Sequence, residues 1–137
     1  MGLPFVPCFF QSGQYLDPQG RIELKKFIAL FKKQELNIFM AYTFPIGEKP
    51  DNANWSGFQM VSENGLKDDY LLLFREIHNK EIIKKIGLKF LSGKTIKITN
   101  LQTGVVTTKK VNDNGEVSFT MRNPASILFL KYEVVEK

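Results

Sequence analysis

The spacing of apolar residues changes character near residue 42. Before it, Leu24, Phe27, Ile28 and Phe31 recur at i, i+3, i+4 and i+7, which is one apolar stripe of an amphipathic helix. Lys25, Lys26, Lys32, Lys33 and Glu35 supply the wet side. Asp17-Pro18 makes a good start for that helix. The Asp side chain can accept from an orphan amide of the first turn, and proline suits the first helical position. The pattern predicts a helix from there to about residue 39, while Pro4, Pro7 and Gly13 make residues 1–16 irregular or partly extended.

After Tyr42, the stretch TFPIGEKPDNAN holds two prolines, a glycine and several turn formers, and reads as a connection. Everything beyond it reads as strand and turn. Trp55–Ser62 is a strand closed by a Glu63-Asn64-Gly65 turn. Tyr70–Ile77 is apolar on both faces, with Leu71 and Leu73 on one side and Leu72 and Phe74 on the other, as in a central strand covered on both sides. Ile82–Leu91 is a less regular strand, and Ser92-Gly93 turns the chain. Lys94–Thr99 then alternates, with Ile96 and Ile98 inward. Gln102-Thr103-Gly104 leads into VVTTKKV, and Asp113-Asn114-Gly115 gives the strongest hairpin signal, because Asn-Gly accepts positive φ. Val117, Phe119 and Met121 share a face, and Asn123-Pro124 precedes a last strand, Ser126–Val135. The fold class expected is mainly β: an antiparallel β-sandwich of about seven strands preceded by one amphipathic helix. The organisation expected is an N-terminal segment with the helix over 1–43 and the sandwich over 44–137, with the boundary in the stretch 44–54.

Length and composition fit a packed core. The chain has 137 residues, of which 12 are Phe. Its net charge of +5 comes from lysines spread along the whole chain, such as Lys49, Lys84, Lys97, Lys109 and Lys131. A nucleic-acid binder concentrates charge on one face and interleaves exposed aromatics, so no nucleic-acid partner is expected. No apolar run approaches the roughly 18 residues of a membrane span, and no membrane partner is expected. The apolar N-terminus lacks a basic flank and is broken by prolines, so it is a poor signal peptide. Val6 stands where a myristoylation signal wants Ser or Thr. Cys8 is the single cysteine, which excludes an intrachain disulfide and a Cys-based metal site and leaves the compartment open.

Candidate chemistry is sparse. Ser92-Gly93-Lys94-Thr95 holds the GKT end of a phosphate loop, but the first glycine of that motif would fall at Leu88, and the strand–loop–helix context is missing. His78, the sole histidine, lies in a polar turn, with Glu76 and Glu81 the nearby carboxylates for any metal. Asp68 and Asp69 are neighbours and on a strand would point to opposite faces. A retaining glycosidase needs two carboxyls about 5–5.5 Å apart over one sugar. Asn54-Trp55-Ser56 fits a glycosylation sequon. No catalytic residue, cofactor site or metal site is expected. The aromatics Trp55, Phe58, Tyr70 and Tyr132 are either core and interface residues or an exposed platform on which a sugar could stack, with Trp55 and Tyr70 as the contacts. Trp55 and Phe58 share a strand face only if a bulge falls at Gly57.

Five segments together resemble the C-terminal part of α-galactosidase (melibiase-like) glycoside hydrolases. Ile22–Tyr42 is similar to the last helix of that family's (β/α)8 barrel. Phe44-Pro45-Ile46-Gly47 resembles its linker, and Trp55-Ser56-Gly57-Phe58-Gln59 the opening strand of its C-terminal sandwich. Tyr70–Glu76 is similar to the next strand, and Ala125–Glu133 to the final one. The resemblance covers roughly residues 17–134. A full barrel takes about 250 residues, and the family's two catalytic aspartates belong to the barrel, so neither maps onto a position here. The resemblance implies a non-catalytic accessory domain that packs against the catalytic barrel of a larger enzyme. The alternative is a carbohydrate-binding sandwich. On either reading the apolar face of the helix must cover the sandwich, pair with a second copy in a homodimer, or stay exposed.

Overall fold

A computed structural model describes residues 16–63 and 68–135. Helix α1 spans Pro18–Phe39 and is followed by eight strands among the described residues: β1 Ala41–Gly47, β2 Trp55–Ser62, β3 Asp69–Arg75, β4 Ile83–Gly87, β5 Thr95–Asn100, β6 Val106–Lys110, β7 Glu116–Thr120 and β8 Ser126–Val134. Six form one antiparallel sheet in the order β1-β2-β3-β8-β5-β6, and β4 and β7 form a second, two-stranded one. The fold is therefore a β-sandwich preceded by a helix.

The helix starts where the sequence places it. Asp17 is the N-cap, its Oδ1 accepts from the Gly20 N–H at 2.6 Å, and Pro18 takes the first helical position. Its apolar side lies on the outer face of the large sheet. Phe31 and Ile38 are buried with Ala41, Met60, Tyr70, Leu72 and Phe129, and the Phe27 and Phe31 rings stand 5.9 and 6.4 Å from Phe129. The stripe that meets the sheet runs past Phe31 through two polar positions. The Tyr70 hydroxyl donates to Gln34 Oε1 at 2.8 Å and accepts from Asn37 Nδ2 at 3.2 Å. The helix face proposed for a homodimer is thus spent on covering the sandwich.

The inner face of the large sheet carries the other core, with Trp55, Leu71, Leu73, Ile96, Ile98, Leu130 and Tyr132 packed against Ile86, Val117 and Phe119 of the small sheet. β3, between β2 and β8, has Leu71 and Leu73 in this core and Leu72 in the one beneath the helix. That is why it reads as apolar on both faces.

Two expectations need correction. The stretch after Tyr42 is not simply a connection, because Ala41–Gly47 is strand β1, paired with β2 from Ala41↔Ser62 to Gly47↔Ser56. Pro45 reads as a breaker, but β1 is the edge of the sheet, where a missing N–H costs no ladder bond. With β1 the described residues hold eight strands, in keeping with the about seven expected. The second correction concerns Asp113-Asn114-Gly115. It is a tight turn, with Gly115 at φ 80° and its N–H on the Asn112 carbonyl, but it does not close a hairpin within one sheet. β6 pairs with β5 and β7 with β4, so the turn carries the chain from one sheet to the other. Residues 1–15, with Cys8, and residues 64–67, with most of the Glu63-Asn64-Gly65 turn, lie outside the described residues.

Candidate functional site

Trp55 and Tyr70, either core residues or the contacts of a sugar platform by sequence, are both wholly buried. Trp55 points into the inner core. Its Nε1–H donates to Asn79 Oδ1 at 3.1 Å and to the Glu81 carbonyl at 3.0 Å. Tyr70 lies beneath the helix, and burial, the largest influence on it, raises its phenol pKa. Tyr132 is buried as well, with its hydroxyl accepting from Gln59 Nε2 at 2.8 Å, and burial drives its pKa far up. None of these three rings offers a face to a sugar, and as phenols both tyrosines serve as structural hydrogen-bonding groups.

Phe58 differs. β2 and β3 pair in unbroken register from Trp55↔Arg75 to Met60↔Tyr70, so there is no bulge at Gly57, and Trp55 and Phe58 point to opposite faces. Phe58 stands on the outer face, half-buried, and opposite Leu72. Phe74, two residues along β3, is its diagonal neighbour on the same face. Both pack at the margin of the core beneath the helix. Where that cover ends, a groove of about 530 Å³ opens over them, walled by Pro45 of β1 and by Pro50 of the connection to β2. Gly57 forms part of its lining, and a Cβ there would meet the Leu72 carbonyl oxygen, so the close approach of β2 and β3 requires glycine.

At one end the groove runs into a smaller hollow of about 330 Å³ that shares Pro50, Ser56 and Phe74 and adds Asp51, Asn52 and Glu76. Glu76 organises this end. Its Oε2 accepts from the N–H groups of Asp51 (3.1 Å) and Asn54 (3.0 Å), and its Oε1 from the Ser56 hydroxyl (3.1 Å). The Asn54 N–H is the largest influence, and with the Asp51, Ser56 and Asn52 donors it holds the carboxyl below its ordinary value, against an upward push from desolvation. The loop is pinned from other sides too. Asn79 Nδ2 donates to the Ala53 carbonyl, the His78 N–H to the Asn52 carbonyl, and Asn54 Nδ2 to the Lys49 carbonyl. Asn52 is held at φ 73°, in the left-handed region that Asn tolerates better than most residues. At the rim, Glu48 pairs with Lys84 at 3.2 Å.

The remaining candidates have structural roles. Asp69 accepts from the Ser62 N–H and hydroxyl at 2.7 and 2.9 Å, while Asp68 pairs with Lys131 at 3.2 Å, so the two adjacent carboxyls serve different places. Gly93-Lys94-Thr95 turns into strand β5, with Gly93 at φ 70°. His78 is exposed. Among the described residues no group of three His, Cys, Asp or Glu side chains could hold a metal ion. Sequence reasoning overlooked Phe74 as a surface residue, because strand alternation tells which residues share a face and not how far along the sheet a helix covers it.

A second concave surface lies on the inner face, where six strands are covered by two. Ile98, Leu128, Leu130 and Phe119 line an open hollow of about 320 Å³ with exposed Val105 at its lip. Lys109 crosses it, with its Nζ on the Ser118 carbonyl at 2.6 Å and 5.6 Å from the Phe119 ring centroid. Comparison of the chain with protein-family profiles, with curated proteins and with solved structures finds no match to any of them.

Proposed function

We propose that the chain is a non-catalytic accessory domain, the C-terminal sandwich of a larger glycoside hydrolase of the α-galactosidase type, which packs against the catalytic barrel and supports it. The observation that carries this reading is the unequal pairing of the two sheets. The two-stranded sheet leaves the apolar hollow of Ile98, Leu128, Leu130 and Phe119 open along the β5–β6 side, with Val105 exposed beside it. Ile98, Leu130 and Phe119 on its floor are buried in the core, and the exposed Val105 and Val106 with half-buried Leu128 at its edge are the apolar surface suited to contact with another domain. Glu76, which lines the smaller hollow, fits the same reading, since its carboxylate is committed to hydrogen bonds that hold the 51–54 loop in place. The barrel family itself is argued from the sequence resemblance.

The test is a comparison of two proteins on aryl α-galactosides and related aryl glycosides. The chain alone is expected to give no turnover, and a protein that includes the upstream part of the natural gene is expected to turn over at least one of them. Turnover by the isolated chain would overturn the proposal, as would a natural protein that contains the chain and no hydrolase domain.

A further inference from the structure

We propose that the free edge of β6 is completed by an extended segment of the preceding domain, which adds to the large sheet as a further antiparallel strand and brings a carboxylate to Lys110. The inference rests on the accessory-domain reading and names the form that the contact takes. β6 pairs with β5 alone, in unbroken register from Thr95↔Lys110 to Thr99↔Val106. The Asn100 N–H donates to the Val105 carbonyl at one end of the pair, and the Val111 N–H to the Lys94 carbonyl at the other. Odd-numbered residues therefore face β5, and alternation turns the N–H and C=O groups of Val106, Thr108 and Lys110 outward. All three residues are exposed. With no proline and no bulge, such an edge is a template for another strand. The other edges differ. β1 is interrupted by Pro45. On β7, Lys109 caps the Ser118 carbonyl, and Asn112 holds both the N–H and the carbonyl of Glu116.

The course of the helix selects the occupant. At its C-terminal end α1 leads into β1 at Ala41. Asn37 and Gln34 then bond to Tyr70 of β3, and Phe31 and Phe27 pack on Phe129 of β8. From its C-terminus to its N-terminus the helix thus crosses the sheet from β1 over β3 to β8, and β5 and β6 come next in the sheet. Pro18 lies ~14 Å further along the axis than Phe27. β6 lies roughly 10 Å beyond β8 across the sheet. The helix N-terminus, through which a preceding domain connects, is therefore on the β6 side.

Charge and apolar surface define the segment. Lys110 makes no ion pair among the described residues, whereas Lys97 on the neighbouring strand is paired with Glu133. Val105 and Val106 are exposed at the other end of the edge. An antiparallel strand that serves both places Asp or Glu opposite Lys110 and, further along, an apolar side chain opposite Val106. A second copy of this chain offers only another β6, which has no carboxylate.

The experiment measures amide hydrogen exchange along β6 in the chain alone and in the full-length natural protein. In the chain alone, Val106, Thr108 and Lys110 are expected to exchange fast, and Thr107 and Lys109, which face β5, slowly. In the full-length protein the three outward amides are expected to slow at least about tenfold. Lys110→Glu in that protein should remove most of the slowing and leave Thr107 and Lys109 as they were. Thr108→Pro, which deletes an outward N–H and no bond to β5, is the second variant, with the same loss expected at Val106 and Lys110. Fast exchange of the outward amides in a full-length protein that has a preceding hydrolase domain overturns this inference and leaves the accessory-domain reading standing. A natural protein without such a domain overturns both. Slow exchange of these amides in the chain alone, or slowing that survives both variants, also overturns the inference.

Discussion

Replacing Tyr70 by phenylalanine removes one oxygen from a ring that is otherwise wholly enclosed. That oxygen is the polar link between helix and sheet, donating to Gln34 and accepting from Asn37. The ring contacts beneath it, including the Phe129 ring at 6.0 Å, are unchanged by the substitution. The loss is therefore two hydrogen bonds, each worth about 0.5–1.5 kcal/mol net. Because Gln34 and Asn37 are half-exposed and can turn to water, the expected cost is about 1–2 kcal/mol rather than the larger penalty of stranded buried groups. For a chain of this size that lowers Tm by about 3–8 °C. Thermal and urea unfolding followed by circular dichroism at the helix band would measure it. A double-mutant cycle with Gln34→Ala isolates the link: the second substitution should cost little once the hydroxyl is gone. A Tyr70→Phe protein with unchanged stability, or costs for Tyr70→Phe and Gln34→Ala that simply add, would refute the clamp.

Other substitutions probe other parts of the account. Arg75 is buried at the end of β3. Its Nη1 donates to the Met121 and Arg122 carbonyls and its Nη2 to that of Asn79, all at 2.8 Å, so Arg75→Met should cost about 3 kcal/mol or more by denaturant unfolding. Gly57→Ala pushes a methyl group into the Leu72 carbonyl and should cost about 1–3 kcal/mol, with distorted amide shifts along β2 and β3. Glu76 has a lowered folded pKa, so its pinning of the 51–54 loop is fully present above its ordinary value of 4.5 and is lost as pH falls through the lower folded value. The amide resonances of Asp51 and Asn54 should titrate below pH 4.5 and cease to do so in Glu76→Gln; titration at or above the ordinary value contradicts the arrangement.

Much of the fold could be read from local signals. Asp17-Pro18 marks the helix start because capping is a local chemistry. The bounds of Trp55–Ser62 follow from the turn formers that flank it, and the two-faced character of β3 from a run that is apolar at successive positions instead of alternating. What escaped depends on position in the assembled sheet. Pro45 looks like a breaker until β1 is known to be an edge strand. Gln34 and Asn37 look like wet-side residues until Tyr70 is found to present its hydroxyl to them. The Asn114-Gly115 turn carries a hairpin signature, and only the pairing of β6 and β7 with different partners reveals a crossing between sheets.

The site was the least legible part. Trp55 and Tyr70 each combine a large apolar surface with a polar tip, a chemistry that serves a buried core with a hydrogen-bond partner as well as an exposed platform. Here the polar tips are satisfied internally, by Asn79 and Glu81 for Trp55 and by Gln34 and Asn37 for Tyr70. The groove over Phe58 and Phe74 exists because the helix covers only part of the outer face and because Glu76, more than 20 positions away in sequence, fixes the Asp51–Asn54 loop at its end. Neither condition leaves a signature in the spacing of residues.

The most direct test of the accessory-domain account is the natural reading frame around this segment. The account predicts that several hundred codons with a (β/α)8 pattern precede Leu3 and that they carry the aspartates of a glycoside hydrolase. A natural gene that starts at Met1, with no barrel upstream, would contradict it.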